Sequence, residues 1–105
     1  MTPFAIVLTT LPADHNAEPL AKALVEERLA ACVSVMGPMK SVYRWKGVVE
    51  EAAECQLVIK TEKSRVADLQ HRIAELHPYA VPEFLVLGVE EGSEPYLAWL
   101  TSALR

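Results

Sequence analysis

The sequence predicts an α+β fold: a four-stranded antiparallel sheet in β-α-β-β-α-β order, with a long central hairpin and a further helix after the last strand. Three observations predict it. Short apolar or alternating runs sit between stretches whose apolar residues recur at three- and four-residue steps. The chain echoes itself: Val7-Leu8-Thr9-Thr10 and Val58-Ile59-Lys60-Thr61 each lead into a helical stretch that is followed by an apolar strand. Between the halves, everything from Cys32 to Lys60 reads as one hairpin turning at Lys46-Gly47.

Phe4-Ala5-Ile6-Val7-Leu8 is an unbroken apolar run, as expected of a strand covered on both faces, and Thr9-Thr10-Leu11-Pro12 is read as its end. Asp14 is the expected N-cap of the first helix. Ala17, Leu20, Ala21, Leu24 and Val25 draw its apolar face, Glu18, Lys22 and Glu26 its charged one, and Pro19 is tolerated in the first turn. The second strand is Ala31-Cys32-Val33-Ser34-Val35-Met36, interrupted by Gly37-Pro38 and resumed at Ser41-Val42-Tyr43-Arg44-Trp45. The return strand starts at Val48-Val49 and ends with Cys55-Gln56-Leu57-Val58-Ile59-Lys60, so Thr61 opens the second helix. Val66, Leu69, Ile73 and Leu76 form that helix's buried stripe, and His77-Pro78 stops it because a residue before proline is driven out of the α region. Phe84-Leu85-Val86-Leu87-Gly88-Val89 is the fourth strand, and Ser93 caps a terminal helix carrying Tyr96, Leu97, Leu100 and Leu104. This is the split β-α-β, or ferredoxin-like, pattern, with both crossover helices on one face of the sheet. Residues 1–105 are read as a single domain.

A chain of 105 residues, 51% apolar and 23% charged, is a globular composition with a thin stability margin. A net charge of −4 without a Lys/Arg run argues against a nucleic-acid partner held through phosphates. No apolar run reaches the ~20 residues that span a bilayer, so membrane insertion is not expected. Without a basic stretch leading into an apolar one at the start, and with cysteines only at positions 32 and 55, the expectation is a cytoplasmic protein with two free thiols. One disulfide in an exported protein is the alternative.

The hairpin is too long for its domain. Each arm could approach ~45 Å at about 3.3 Å per residue, whereas a domain of this size has a radius of gyration of only about 13 Å. An overhanging ribbon would expose Val42, Tyr43, Trp45, Val48 and Val49 together with open strand edges, and pairing with another subunit would cover both. A ribbon bent back over its own sheet is the other solution.

Five strings then become specific: Glu26-Glu27-Arg28-Leu29-Ala30-Ala31-Cys32-Val33, Ser41-Val42-Tyr43-Arg44-Trp45-Lys46-Gly47, Ile59-Lys60-Thr61, His77-Pro78-Tyr79 and Tyr96-Leu97-Ala98-Trp99-Leu100. In this order the chain resembles the CutA family of divalent-cation-tolerance proteins over residues 8–100. The resemblance implies a ferredoxin-like fold, a tight trimer built through extended strands like that of the PII signalling proteins, and a role in tolerance of copper and other divalent cations. An alternative function is a PII-like sensor that binds a small anionic effector in clefts between subunits. No nucleophile–base pair, Gly-rich phosphate loop or metalloprotease helix is visible, so no enzyme activity is expected.

Thiolate and imidazole are the ligands that favour copper, which makes Cys32 and His77 the candidate metal ligands, ahead of Cys55, His15 and His71. A small buried hydrophobe is the competing role for Cys32 and a helix stop the competing role for His77. Family members credited with copper binding can carry a cysteine in the first strand and a His-His pair before Pro-Tyr; here those positions hold Thr9 and Leu76-His77. Lys60, Tyr79 and Glu83 are the expected lining of an inter-subunit cleft suited to an anion, and Tyr43 and Trp45 are the expected trimer contacts. Glu50, Glu51 and Glu54 can offer carboxylates to hard cations, but an adjacent acidic run reads first as a solvated strand face.

Overall fold

The computed structural model describes residues 1–105 and has four strands and three α-helices: β1 (Phe4–Pro12), α1 (Glu18–Glu26), β2 (Cys32–Trp45), β3 (Val48–Glu62), α2 (Val66–Leu76), β4 (Leu85–Gly88) and α3 (Glu94–Ala103). All strand pairs are antiparallel, in the spatial order β2-β3-β1-β4. This is the ferredoxin-like arrangement that the sequence predicts.

Strand alternation divides the sheet into two unlike faces. Val7 and Leu11 of β1 and Leu57 and Ile59 of β3 point into a core closed by Leu20 and Leu24 of α1 and by Leu69 and Ile73 of α2. Arg72 of α2 clamps Glu27, just past α1, with two hydrogen bonds of 2.9 and 3.0 Å across the outside of this layer. On the opposite face α3 covers only one end, where Leu100 and Leu104 pack on Phe4 and Ala31. Ile6, Leu8, Val58, Leu85 and Leu87 lie on that second face by register, and Leu85 and Leu87 are 55% and 51% exposed. An uncovered apolar sheet face is unusual for a protein that stays monomeric.

The hairpin overhangs, as its length predicts, and does not fold back over its own sheet. β1 pairs with β3 only over residues 54–62, while the β2–β3 ladder continues to Trp45↔Val48. The molecule therefore measures 44 × 26 × 23 Å with a radius of gyration of 14.4 Å. Its accessible surface is 6451 Å², against about 5,800 Å² for a compact monomer of this mass. Val42, Val48 and Val49 on the ribbon are 57–61% exposed.

Gly37-Pro38 does not interrupt β2 but forms a bulge within it. Met36 lies opposite Gln56 and Met39 opposite Glu54, so three steps on β2 match two on β3. The extra residue exchanges the parity of everything beyond it. Cys32, Ser34 and Met36 share the uncovered face with Lys60, Val58 and Gln56; past the bulge that face takes Met39, Ser41, Tyr43 and Trp45. The bulge thus puts both hairpin aromatics on the side not covered by α1 and α2.

Four local expectations are corrected. Asp14 does not cap α1: Ala17 holds the cap position, and Asn16 Oδ1 accepts the Glu18 N–H at 3.1 Å. Ser93 stands at the α3 cap, but its side chain makes no capping bond. β1 continues through Thr9-Thr10-Leu11-Pro12, because β3 extends far enough to pair with it. Thr61 ends β3 rather than opening a helix; its hydroxyl donates to the Leu29 carbonyl at 2.7 Å, and a short 3-10 turn, Lys63–Arg65, leads into α2.

Candidate functional site

The loop after α2 carries the polar constellation that the sequence points to. His77 N–H completes the last turn on the Ile73 carbonyl at 2.8 Å, and Pro78 turns the chain around the end of the sheet. The His77 ring is buried with both nitrogens engaged: Nδ1 accepts the Tyr79 backbone N–H at 3.1 Å, and Nε2 lies 2.6 Å from the Thr10 carbonyl. Because Nδ1 is an acceptor, the proton resides on Nε2, which donates to Thr10. Tyr79 O–H donates to Glu54 Oε2 at 3.0 Å. Gln56 Nε2 donates to the Thr9 carbonyl at 2.8 Å and to Glu83 Oε2 at 3.1 Å.

Burial sets the acid–base behaviour of this corner. It lowers the His77 pKa below the usual imidazole value, outweighing the Thr10 carbonyl that would raise it. Burial also pushes the Tyr79 phenol up to about 12, helped by the bond to Glu54. For His77 the sign is clear: the unfolded ring takes up a proton near pH 6.5 while the folded ring resists it. Stability is therefore expected to be full above pH 6.5 and to decline as pH falls through the depressed folded value. Urea unfolding at stepped pH checks this, because the part of the decline due to His77 disappears in His77→Gln.

Lys60 stands elsewhere. It lies across from Ile6 and Cys32, and Gln56 is four residues along β3, about 13 Å away. Its ammonium donates to the Tyr96 hydroxyl at 3.1 Å, which raises its pKa, and it lies 5.4 Å from that ring's centroid. One chain thus brings Tyr79 and Glu83 to the same corner and leaves Lys60 at the far end of the face. Tyr43 and Trp45 project from the ribbon, 40% and 46% exposed.

The metal candidates are also apart. Cys32 belongs to the Lys60 end, where its sulfur lies 3.8 Å from the Ser34 hydroxyl, whereas His77 belongs to the Thr10 end. No three His, Cys, Asp or Glu side chains converge as metal ligands would. Within one chain Cys32 and His77 do not make a copper site, and His77 has no free nitrogen to offer. Cys32 and Cys55 are both free thiols, separated by several residues of strand, so the disulfide alternative does not hold. Thr9, at the position where a cysteine can stand in the family, points into the helix-covered core with a fully buried, unpartnered hydroxyl. Thr9→Val keeps the shape and removes the orphan group, and is expected to raise the unfolding free energy by about 1 kcal/mol in urea titration.

Glu54, Thr10, Gln56 and Tyr96 complete the picture and were missed as site residues in the sequence. Glu54 is corrected from a solvated strand charge to a residue 8% exposed beneath Tyr79. Its shared parity with Gln56 and Lys60 was the available signal.

The family model described as "CutA1 divalent ion tolerance protein" matches residues 5–103. The chain is 47% identical over 95 residues to the divalent-cation tolerance protein CutA of Thermus thermophilus, covering 90% of this chain and 92% of that one. The solved CutA of Xylella fastidiosa superposes with a TM-score of 0.93 at 36% identity, covering 99% of this chain and 100% of the other. A structure named periplasmic divalent cation tolerance protein CutA, from Archaeoglobus fulgidus, gives 0.91 at 30% identity, covering 97% and 99% of the respective chains.

Proposed function

Because this chain belongs to the CutA1 divalent ion tolerance protein family, we propose that it acts as a homotrimer in the response to divalent metal ions, as a binding protein rather than an enzyme. The observation that carries this reading is the uncovered apolar sheet face continuous with an overhanging hairpin, which leaves a single chain with more surface than its mass warrants. Copies of the same chain supply matching faces and edges, and Tyr43 and Trp45 lie where such contacts form. The donors for a cation are divided between the two ends of that face, so a copper ion takes its ligands from more than one copy, with the partly exposed Cys32 thiol as the principal donor. His77 joins only by releasing Thr10 or Tyr79. The two free thiols suit a reducing cytoplasm, and no helix is long and apolar enough to cross a membrane.

Sedimentation velocity is expected to give a species of about 35 kDa, three copies of the 11.6 kDa chain. Calorimetry with copper is expected to show binding that weakens at least tenfold in Cys32→Ser; equal affinity in that variant defeats the copper assignment. The sensor reading is favoured by one observation, that the Lys60 ammonium meets only a neutral phenol. Nucleotide binding lost in Lys60→Ala is its test.

A further inference from the structure

Four charged side chains occupy strand positions on the uncovered face: Glu50, Glu54, Lys60 and Glu62. Glu62 is answered within the chain by Arg105, at 2.8 and 3.3 Å. Lys60 forms no ion pair, and its one polar partner is the Tyr96 hydroxyl at 3.1 Å. Glu54 is nearly buried and is held only by Tyr79, while Glu83, brought to this face by the loop after α2, is held only by the Gln56 amide. The face thus carries one unanswered cation at one end and two unanswered carboxylates at the other, with Gln56, which holds Glu83, about 13 Å and Glu54 about 20 Å from Lys60 along β3.

We propose that Lys60 of one copy is the cation that completes the Glu54–Glu83 site of the next copy. The inference rests on the self-assembly reading and names the groups that cross the contact. Covering this face strips water from all three charges, and a charge left buried without a partner costs several times what an exposed one does. An ammonium has three donors and Lys60 spends one within its own chain, so two remain for the carboxylates. Lys60 is the only lysine or arginine at a strand position on the face, so no other strand residue of that face supplies a cation. Opposite charges displaced along one surface fit a head-to-tail contact, in which every copy gives its lysine on one side and receives one on the other; such a contact closes into a ring when the rotation from copy to copy completes a full turn. Glu50 does not compete, because it stands on the exposed ribbon and keeps its water. In this arrangement Lys60 is occupied by protein carboxylates and is not free for an anionic effector.

The experiment is sedimentation of the full chain across a concentration series, with circular dichroism on each variant. Lys60→Glu and Glu83→Lys are each expected to raise the subunit dissociation constant at least tenfold, and the double variant to return to within about threefold of the parent. Glu50→Gln is expected to assemble like the parent. If either reversal unfolds the chain, Lys60→Gln and Glu83→Gln are used instead, and their effects are expected to be non-additive. Parent-like assembly of the Lys60 variant, or a double variant no better than the singles, overturns the inference while leaving self-assembly intact. A parent chain that is monomeric at all concentrations overturns the assembly reading as well.

Discussion

Val58→Glu is expected to leave a folded monomer where the parent chain assembles. Val58 lies on the uncovered face, with Leu8 beside it on β1 and Ser34 on β2. In a single chain it is partly exposed, so a carboxylate there keeps water and the fold tolerates it. In an assembly that covers the face, the same carboxylate loses water among apolar side chains, a penalty of several kcal/mol that Lys60, two residues along β3, offsets only in part, repeated at every contact. Sedimentation is expected to show the 11.6 kDa chain alone at concentrations where the parent is assembled, with an unchanged circular dichroism spectrum. A Val58→Glu protein that still assembles would show that the copies meet on another surface. The adjoining Ile59 is fully buried among the helix-facing residues, so one step along β3 separates a residue of the bare face from a core residue.

Gly37→Ala is expected to cost about 2–4 kcal/mol of folding stability, measured by urea denaturation. Gly37 has φ +145°, a conformation that side chains with a Cβ rarely adopt. An added Cβ would stand 2.9 Å from the Cys55 Cα and 3.1 Å from the Glu54 carbonyl oxygen, both backbone atoms of β3 that cannot swing aside. The consequence reaches beyond stability. Loosening the bulge removes the parity exchange that turns Tyr43 and Trp45 toward the uncovered face, so assembly is expected to weaken together with folding. A Gly37→Ala protein as stable and as well assembled as the parent would rule out the bulge as the device that orients the hairpin.

The order and type of the four strands and three α-helices were legible in the sequence, because strand and helix periods are local and the two halves repeat the same run of strand, helix and strand. The hairpin overhang was legible too, since chain length at a fixed rise per residue cannot be hidden in a small domain. The faces were harder. Gly37-Pro38 reads as a break when seen locally, and only the register against β3 shows it to be one extra residue within a continuous strand. Tyr79 and Glu83 were identified as cleft residues, and they do share one corner. Their grouping with Lys60 does not occur within one chain, because the intervening length of β3 keeps them apart.

Sequence alone thus determined the fold, the family likeness and the overhang of the hairpin, all of which rest on local periodicity, on short motifs and on chain length. Tertiary structure decided which groups meet. It closed both His77 nitrogens, buried Glu54 under Tyr79, left Thr9 without a partner, and set Lys60 and the carboxylates at opposite ends of one bare face. Those outcomes depend on register and on contacts between residues far apart in the chain, such as His77 with Thr10, and no local pattern encodes them.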